Sequence, residues 1–182
     1  MSRLTVYHQS SPDIPNKVLS HVEDIAATLA ELGVTFERAE STLPVQAGAS
    51  QEEVVAGHRA EIDVWMGQGG YLELDVVSVD EDPSSTAREP SGWQSEHHLE
   101  GDWVLCLLAG RLLLSLHVGD YVYALLCERN DRVVVPARMA HWLDLGERPR
   151  IVALRLFTDP KGWHPTYTQS PFSHLFPPLD PQ

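Results

Sequence analysis

Between residues 18 and 32 apolar side chains recur at steps of three and four, at Val18, Val22, Ile25, Leu29 and Leu32, and the run stops at Gly33. That period puts one apolar stripe on a helix, and the glycine supplies its C-terminal cap. Ser50 followed by Glu53 has the spacing of a capping box, and Val54, His58, Ile62 and Trp65 carry the helical period on to Gly67 and Gly69. A second helix is predicted there, with His58 on or beside its apolar face, read as a packed or hydrogen-bonded imidazole rather than a ligand. From Tyr71 the pattern changes to short runs rich in Val and Leu: YLELDVVSV, WVLCLLAG, RLLLSLHV, DYVYALLC, DRVVVP and RIVALRLF. Turn signals at Gly110, Gly119-Asp120, Arg129-Asn130-Asp131 and Gly146 separate them. Evenly spaced strands of this kind predict a closed barrel or a sandwich. The expected order is a helical part over 1–70, a barrel over 71–164 and a Pro-rich tail over 165–182 that wraps the surface without an element of its own. The polar stretch from Asp80 to Ser95 is expected to be a surface loop. No repeat or linker interrupts this order, so the 182 residues are read as one domain.

Composition narrows the partners. Against 26 acidic residues stand 13 basic ones, a formal charge of −13 that repels phosphate backbones and anionic lipid. Nucleic-acid and membrane partners are therefore not expected, and no segment reaches the roughly 20 apolar residues a bilayer span needs. The start of the chain lacks the basic and apolar regions of a signal peptide, and a cytoplasmic monomer acting on a small molecule is expected. Cys106 and Cys127 both lie in apolar runs and share no CxxC spacing, so they are read as buried small hydrophobes.

The candidate chemistry lies in SEHHLEGDWVLCLLAG, residues 95 to 110. A non-haem Fe(II) or Ni(II) site needs neutral imidazoles and a carboxylate on one face of a rigid wall. Same-face residues of a strand are an even number apart, so His98 shares a face with Glu100 and Asp102, while His97 shares one with Leu99, Gly101 and Trp103. In NDRVVVPARMAHWLDLG a strand and a proline turn lead to His141, at the start of the next element.

The strand, proline and histidine pattern resembles the second motif of the cupin superfamily. More closely, LLCERNDRVVVPARMAHWLDLGERPRIVALRLFTDPKGWHPTYT is similar to the C-terminal half of bacterial acireductone dioxygenases. The likeness extends upstream through HQSSPDIPNKVLSHVEDIAATLAELGVTFER and GASQEEVVAGHRAEIDVWMGQGGYLELDVVS. It implies an α+β, mainly β fold, a cupin-type β-barrel (double-stranded β-helix) with N-terminal helices. It also implies one Fe(II) or Ni(II) per chain and the cleavage of a methylthio-acireductone by dioxygen to a keto acid and formate, in methionine salvage.

The family's first motif has the form E-H-x-H-x3-E-x-R. Placed without gaps, Glu96, His97 and Gly110 match, Leu99 stands for the second histidine, Trp103 for the ligating glutamate and Leu105 for the arginine that helps hold substrate. The metal ligands implied are then His97 and His141. A bulge near Glu96 would instead bring His98 and Asp102 to join His141, and both arrangements stay open. Trp93, matching an aromatic residue near the family's active-site mouth, lines the pocket or packs in a loop. Trp142 is core or pocket wall, and Arg155 in LRLF is either a structural ion pair or a substrate contact. Trp163 matches a family tryptophan and is given a packing role, while His117, His164 and His174 are read as surface or structural. Three apolar replacements in one motif keep an alternative function alive, a catalytically impaired barrel that serves as a binding module.

Overall fold

The computed structural model describes residues 1–39, 45–80 and 92–180. Among the described residues, twelve strands form two antiparallel sheets. In chain order they are β1 (Arg3–His8), β2 (Lys17–Leu19), β3 (Thr35–Arg38), β4 (Glu73–Val79), β5 (His97–His98), β6 (Trp103–Ala109), β7 (Arg111–Val118), β8 (Tyr121–Glu128), β9 (Asp131–Val135), β10 (Ala140–Asp144), β11 (Ile151–Phe157) and β12 (Thr166–Tyr167). One sheet runs β12-β5-β10-β7-β8-β1-β2, the other β3-β9-β6-β11-β4. Helices α1 (Val22–Ala30), α2 (Gln51–Gly57) and α3 (Arg59–Gly69) precede β4.

The strand runs are apolar on both faces because each sheet is covered twice. Leu112, Leu114 and Leu116 of β7 and Trp103, Leu105 and Leu107 of β6 point between the sheets. Their neighbours Val104, Cys106 and Leu108 face α2 and α3, meeting Val54 and Ile62. Leu113 of β7 and Val122, Ala124 and Leu126 of β8 lie under the tail, against Phe176. Burying each such side chain stabilises the fold by about 1.5–3 kcal/mol, and three layers share that gain. At the β6–β7 corner Gly110 has φ +77°, and a Cβ there would stand 2.1 Å from the Arg150 carbonyl oxygen, so only glycine fits.

Four expectations need correction. The part over 1–70 is not simply helical: it contributes β1, β2 and β3, and β1 pairs with β8 along its whole length. Buried Asp131 accepts from the Ser2 hydroxyl and from Arg38 Nε, which ties this part to the barrel through contacts that no local period reveals. Val18, placed in the first helical stripe, is an exposed residue of β2, so α1 begins only at Val22. The second helix is capped by Ser50 Oγ accepting from the Glu53 N–H at 3.2 Å, but it breaks at His58, where φ is −120°. His58 is buried and its Nδ1–H donates to the Val54 carbonyl. The tail, finally, is not without elements: it forms β12 and a 3-10 turn over Phe172–His174. The loop expected over 80–95 falls mostly on residues outside those described. Cys106 and Cys127 are both buried and unpaired, and burial pushes the Cys106 thiol up to about 12.

Candidate functional site

His97 on β5 and His141 on β10 are directly opposed across their antiparallel ladder, and their ring centroids lie 4.4 Å apart. Both side chains are buried. The His97 Nδ1 lies 2.7 Å from the Ser95 carbonyl, and the His141 Nδ1 lies 2.9 Å from that of Met139. A carbonyl only accepts, so each Nδ1 carries the hydrogen and each Nε2 keeps its lone pair. His97 Nε2 is buried with no hydrogen-bond partner. Burial is the main cause that lowers both pKa values, to about 3 for His141, with the other imidazole and Arg155 adding to it there. Two neutral imidazoles thus present bare nitrogens to the barrel interior, the protonation state a metal ligand needs.

Around the pair the walls are aromatic. The Trp103 ring lies 5.0 Å from His141 and is inclined by 33°, and Trp163 and Tyr167 lie 6.1 and 5.7 Å from His97. Trp103 Nε1 is a second buried polar atom without a partner. Leu99 and Leu105 are buried in the same core. Arg155 is buried too, its Nε and Nη2 donating to the two Asp75 carboxylate oxygens at 2.9 and 2.5 Å. Its guanidinium stacks at 4.5 Å over Trp93, 5.1 Å over Phe157 and 5.5 Å over Trp163. Of the two roles offered for Arg155, the geometry accommodates the ion pair, on a side chain that also faces the aromatic interior.

Two placements are corrected by strand parity. His98 and Asp102, the substitutes for a bulged strand, do not join the pair. His98 Nε2 lies 3.5 Å from Glu100, and the exposed Asp102 accepts from the Ala137 N–H at 2.7 Å. Trp142 is no pocket wall of the barrel: next to an inward His141 it must point outward, where it packs with Phe176 and borders a cavity of about 420 Å³ under the tail. The local pattern carried that signal, since adjacent strand residues face opposite ways.

Other partners were not legible. Glu96 is buried, and its two oxygens accept from Thr168 Oγ1 and lie 2.8 Å from His117 Nδ1, while His117 Nε2 lies 3.1 Å from Gln9. His117 is therefore structural and largely buried. This network fastens the tail and β7 to the residue that precedes His97.

The sequence model of the ARD/ARD' family matches residues 3–165. Proteins called acireductone dioxygenase from Pseudomonas fluorescens Pf-5 and Stutzerimonas stutzeri A1501 are 50% and 49% identical over 180 residues, 99% of this chain and 99% of theirs. The chain belongs to the acireductone dioxygenase family. In three dimensions it resembles the acireductone dioxygenase of Bacillus anthracis, solved with a cadmium ion in its active centre. The TM-score is 0.76 over 92% of this chain and 98% of that one, at 22% identity. That likeness establishes the cupin-type barrel.

Measured against the family's four donors, the residues present fall short. His97 and His141 offer two nitrogens, and among the described residues no group of three or more His, Cys, Asp and Glu could hold a metal ion. The pair alone does not fit a tightly held divalent metal, which needs more first-shell bonds and a compensating negative charge.

Proposed function

We propose that this chain works at the acireductone dioxygenase step of methionine salvage, taking a methylthio-acireductone and dioxygen to a keto acid and formate. The observation that carries this reading is a likeness running through essentially the whole chain, helices and both sheets alike, to proteins of that name. The cofactor the reading calls for is one Fe(II) or Ni(II) per chain, and His97 and His141 are the residues that would meet it. The donor set for that ion is incomplete. The chain's own residues supply binding and shielding. Trp93, Trp103, Leu105, Phe157 and Trp163 exclude water from the interior, and the positive field of Arg155 favours an anionic ligand such as an enediolate. The two Nε2 atoms accept hydrogen bonds from its hydroxyls in the neutral form.

The surroundings follow from charge and redox. With 26 acidic against 13 basic residues the chain is read as a monomer without nucleic-acid or membrane partners, and its two unpaired buried cysteines accord with the cytoplasm. Among the described residues no helix is long and apolar enough to cross a membrane.

A second reading, a barrel that binds the ligand without turning it over, is favoured by one observation, the buried Trp103 indole beside His141. Oxygen uptake with an acireductone analogue and added Fe(II) separates the two. Uptake with release of formate, abolished in His141→Ala, is expected; saturable binding of the analogue with no uptake would establish the second reading instead.

A further inference from the structure

We infer that this chain holds no resident divalent ion: His97 and His141 make a two-donor site that Trp103 closes, so an ion binds weakly and exchanges. The inference rests on the family reading for its four-donor reference, but it concerns affinity alone, so metal content and turnover can fail separately.

Among the described residues, the carboxylates around the pair are engaged elsewhere. Asp102 is held by the Ala137 N–H, and Glu100 by Arg138 at 3.1 Å. Glu96 is held by His117 and Thr168, and Asp75 by Arg155. Asp75 could turn toward the imidazoles only by leaving a buried guanidinium unpaired, and buried Glu96 only by giving up both of its partners. Trp103 cannot substitute, because an indole nitrogen donates a hydrogen and has no lone pair to give. It is also fully packed, its ring leaning on His141. A doubly charged ion would therefore enter an apolar interior with two bonds, no counter-charge and the Arg155 cation nearby, conditions under which binding is poor. The partnerless His97 Nε2 and Trp103 Nε1 mark the place where polar chemistry has been replaced by packing.

The test compares the parent with the double variant Leu99→His, Trp103→Glu, which supplies the two missing donors. Each is loaded with Ni(II), passed over a chelating resin and analysed for metal, and Ni(II) affinity is measured by calorimetry. The parent should retain less than about a tenth of an equivalent, and the double variant should bind about a thousandfold more tightly. His141→Ala should leave the parent's metal content after the resin unchanged, near zero, and abolish retention in the double variant. Near-stoichiometric metal on the parent, lost in His141→Ala, overturns the inference, and this arm decides even where the double variant does not fold. A double variant with parent-like circular dichroism and parent-like affinity overturns the assignment to these two positions.

Discussion

The two segments that deliver His97 and His141 are built alike and filled differently. In β9–β10, Val133 and Val135 point inward, Pro136 makes the turn, and His141 follows on the inner face. There an apolar strand ends in a polar donor. In β5–β6 the same alternation holds, yet after His97 the inward positions are Leu99, Trp103 and Leu105. The ladders run unbroken from Trp103 through Leu107 on the β11 side and through Cys106 on the β9 side, with Trp103 opposing Phe157 and Val135; the β6–β11 register shifts only beyond Leu107. Backbone pairing is indifferent to which side chain occupies an inward position, so long as it fills the space and leaves no charge stranded. A wall can thus lose its donors without losing its register, and the barrel survives a change that dismantles a metal site.

The sharpest way to break that comparison is to return polarity to the filled wall. Without metal, Leu99→His, Trp103→Glu should cost about 3 kcal/mol or more in urea unfolding, since a carboxylate enters an apolar interior, and saturating Ni(II) should recover part of it. A comparable loss, about 3 kcal/mol by the same assay, is expected for Asp75→Ala, which leaves the Arg155 guanidinium buried and unpaired. Phe176→Ala should cost about the same or slightly less, because the ring is buried against Tyr7 and Trp142 on the outer face. The intact wall carries a pH signature. In the unfolded chain His141 takes up a proton near its ordinary value of 6.5, in the folded chain only near 3. Between those values the unfolded state binds more protons, so its contribution lowers stability by about 1 kcal/mol per pH unit as pH falls, levelling off below 3. Melting curves from pH 7 to 4 should show this slope, flattened in His141→Gln. Ser50→Ala, remote from both walls, should cost about 1 kcal/mol through the lost cap and leave metal binding untouched.

The departure at Leu99, Trp103 and Leu105 was readable by setting the first motif against its family form, and the pairing of His97 with His141 followed from the same frame. Parity also held the clue to Trp142, and it separates His98 from the inward positions. Asp75 as the partner of Arg155 was not readable, for the two lie on different strands, 80 positions apart. Nor was Glu96 with His117 and Thr168, which joins β7 to the tail across the sheet. In each case the partner is chosen by register between strands distant in sequence, and no local period encodes that register.

By itself the sequence determined the strand-rich barrel, the capped helix at Ser50, the neutral burial expected of its two cysteines and the family to which the chain belongs. Each of these depends on patterns within one element or on a motif read in a line. Only the tertiary structure decided that β1 to β3 complete the sheets, that the tail covers Trp142, and that Asp75, Glu96, Glu100 and Asp102 are already engaged. Those outcomes depend on which side chains meet across the barrel, and the energy of a buried charge is set by its neighbours in space.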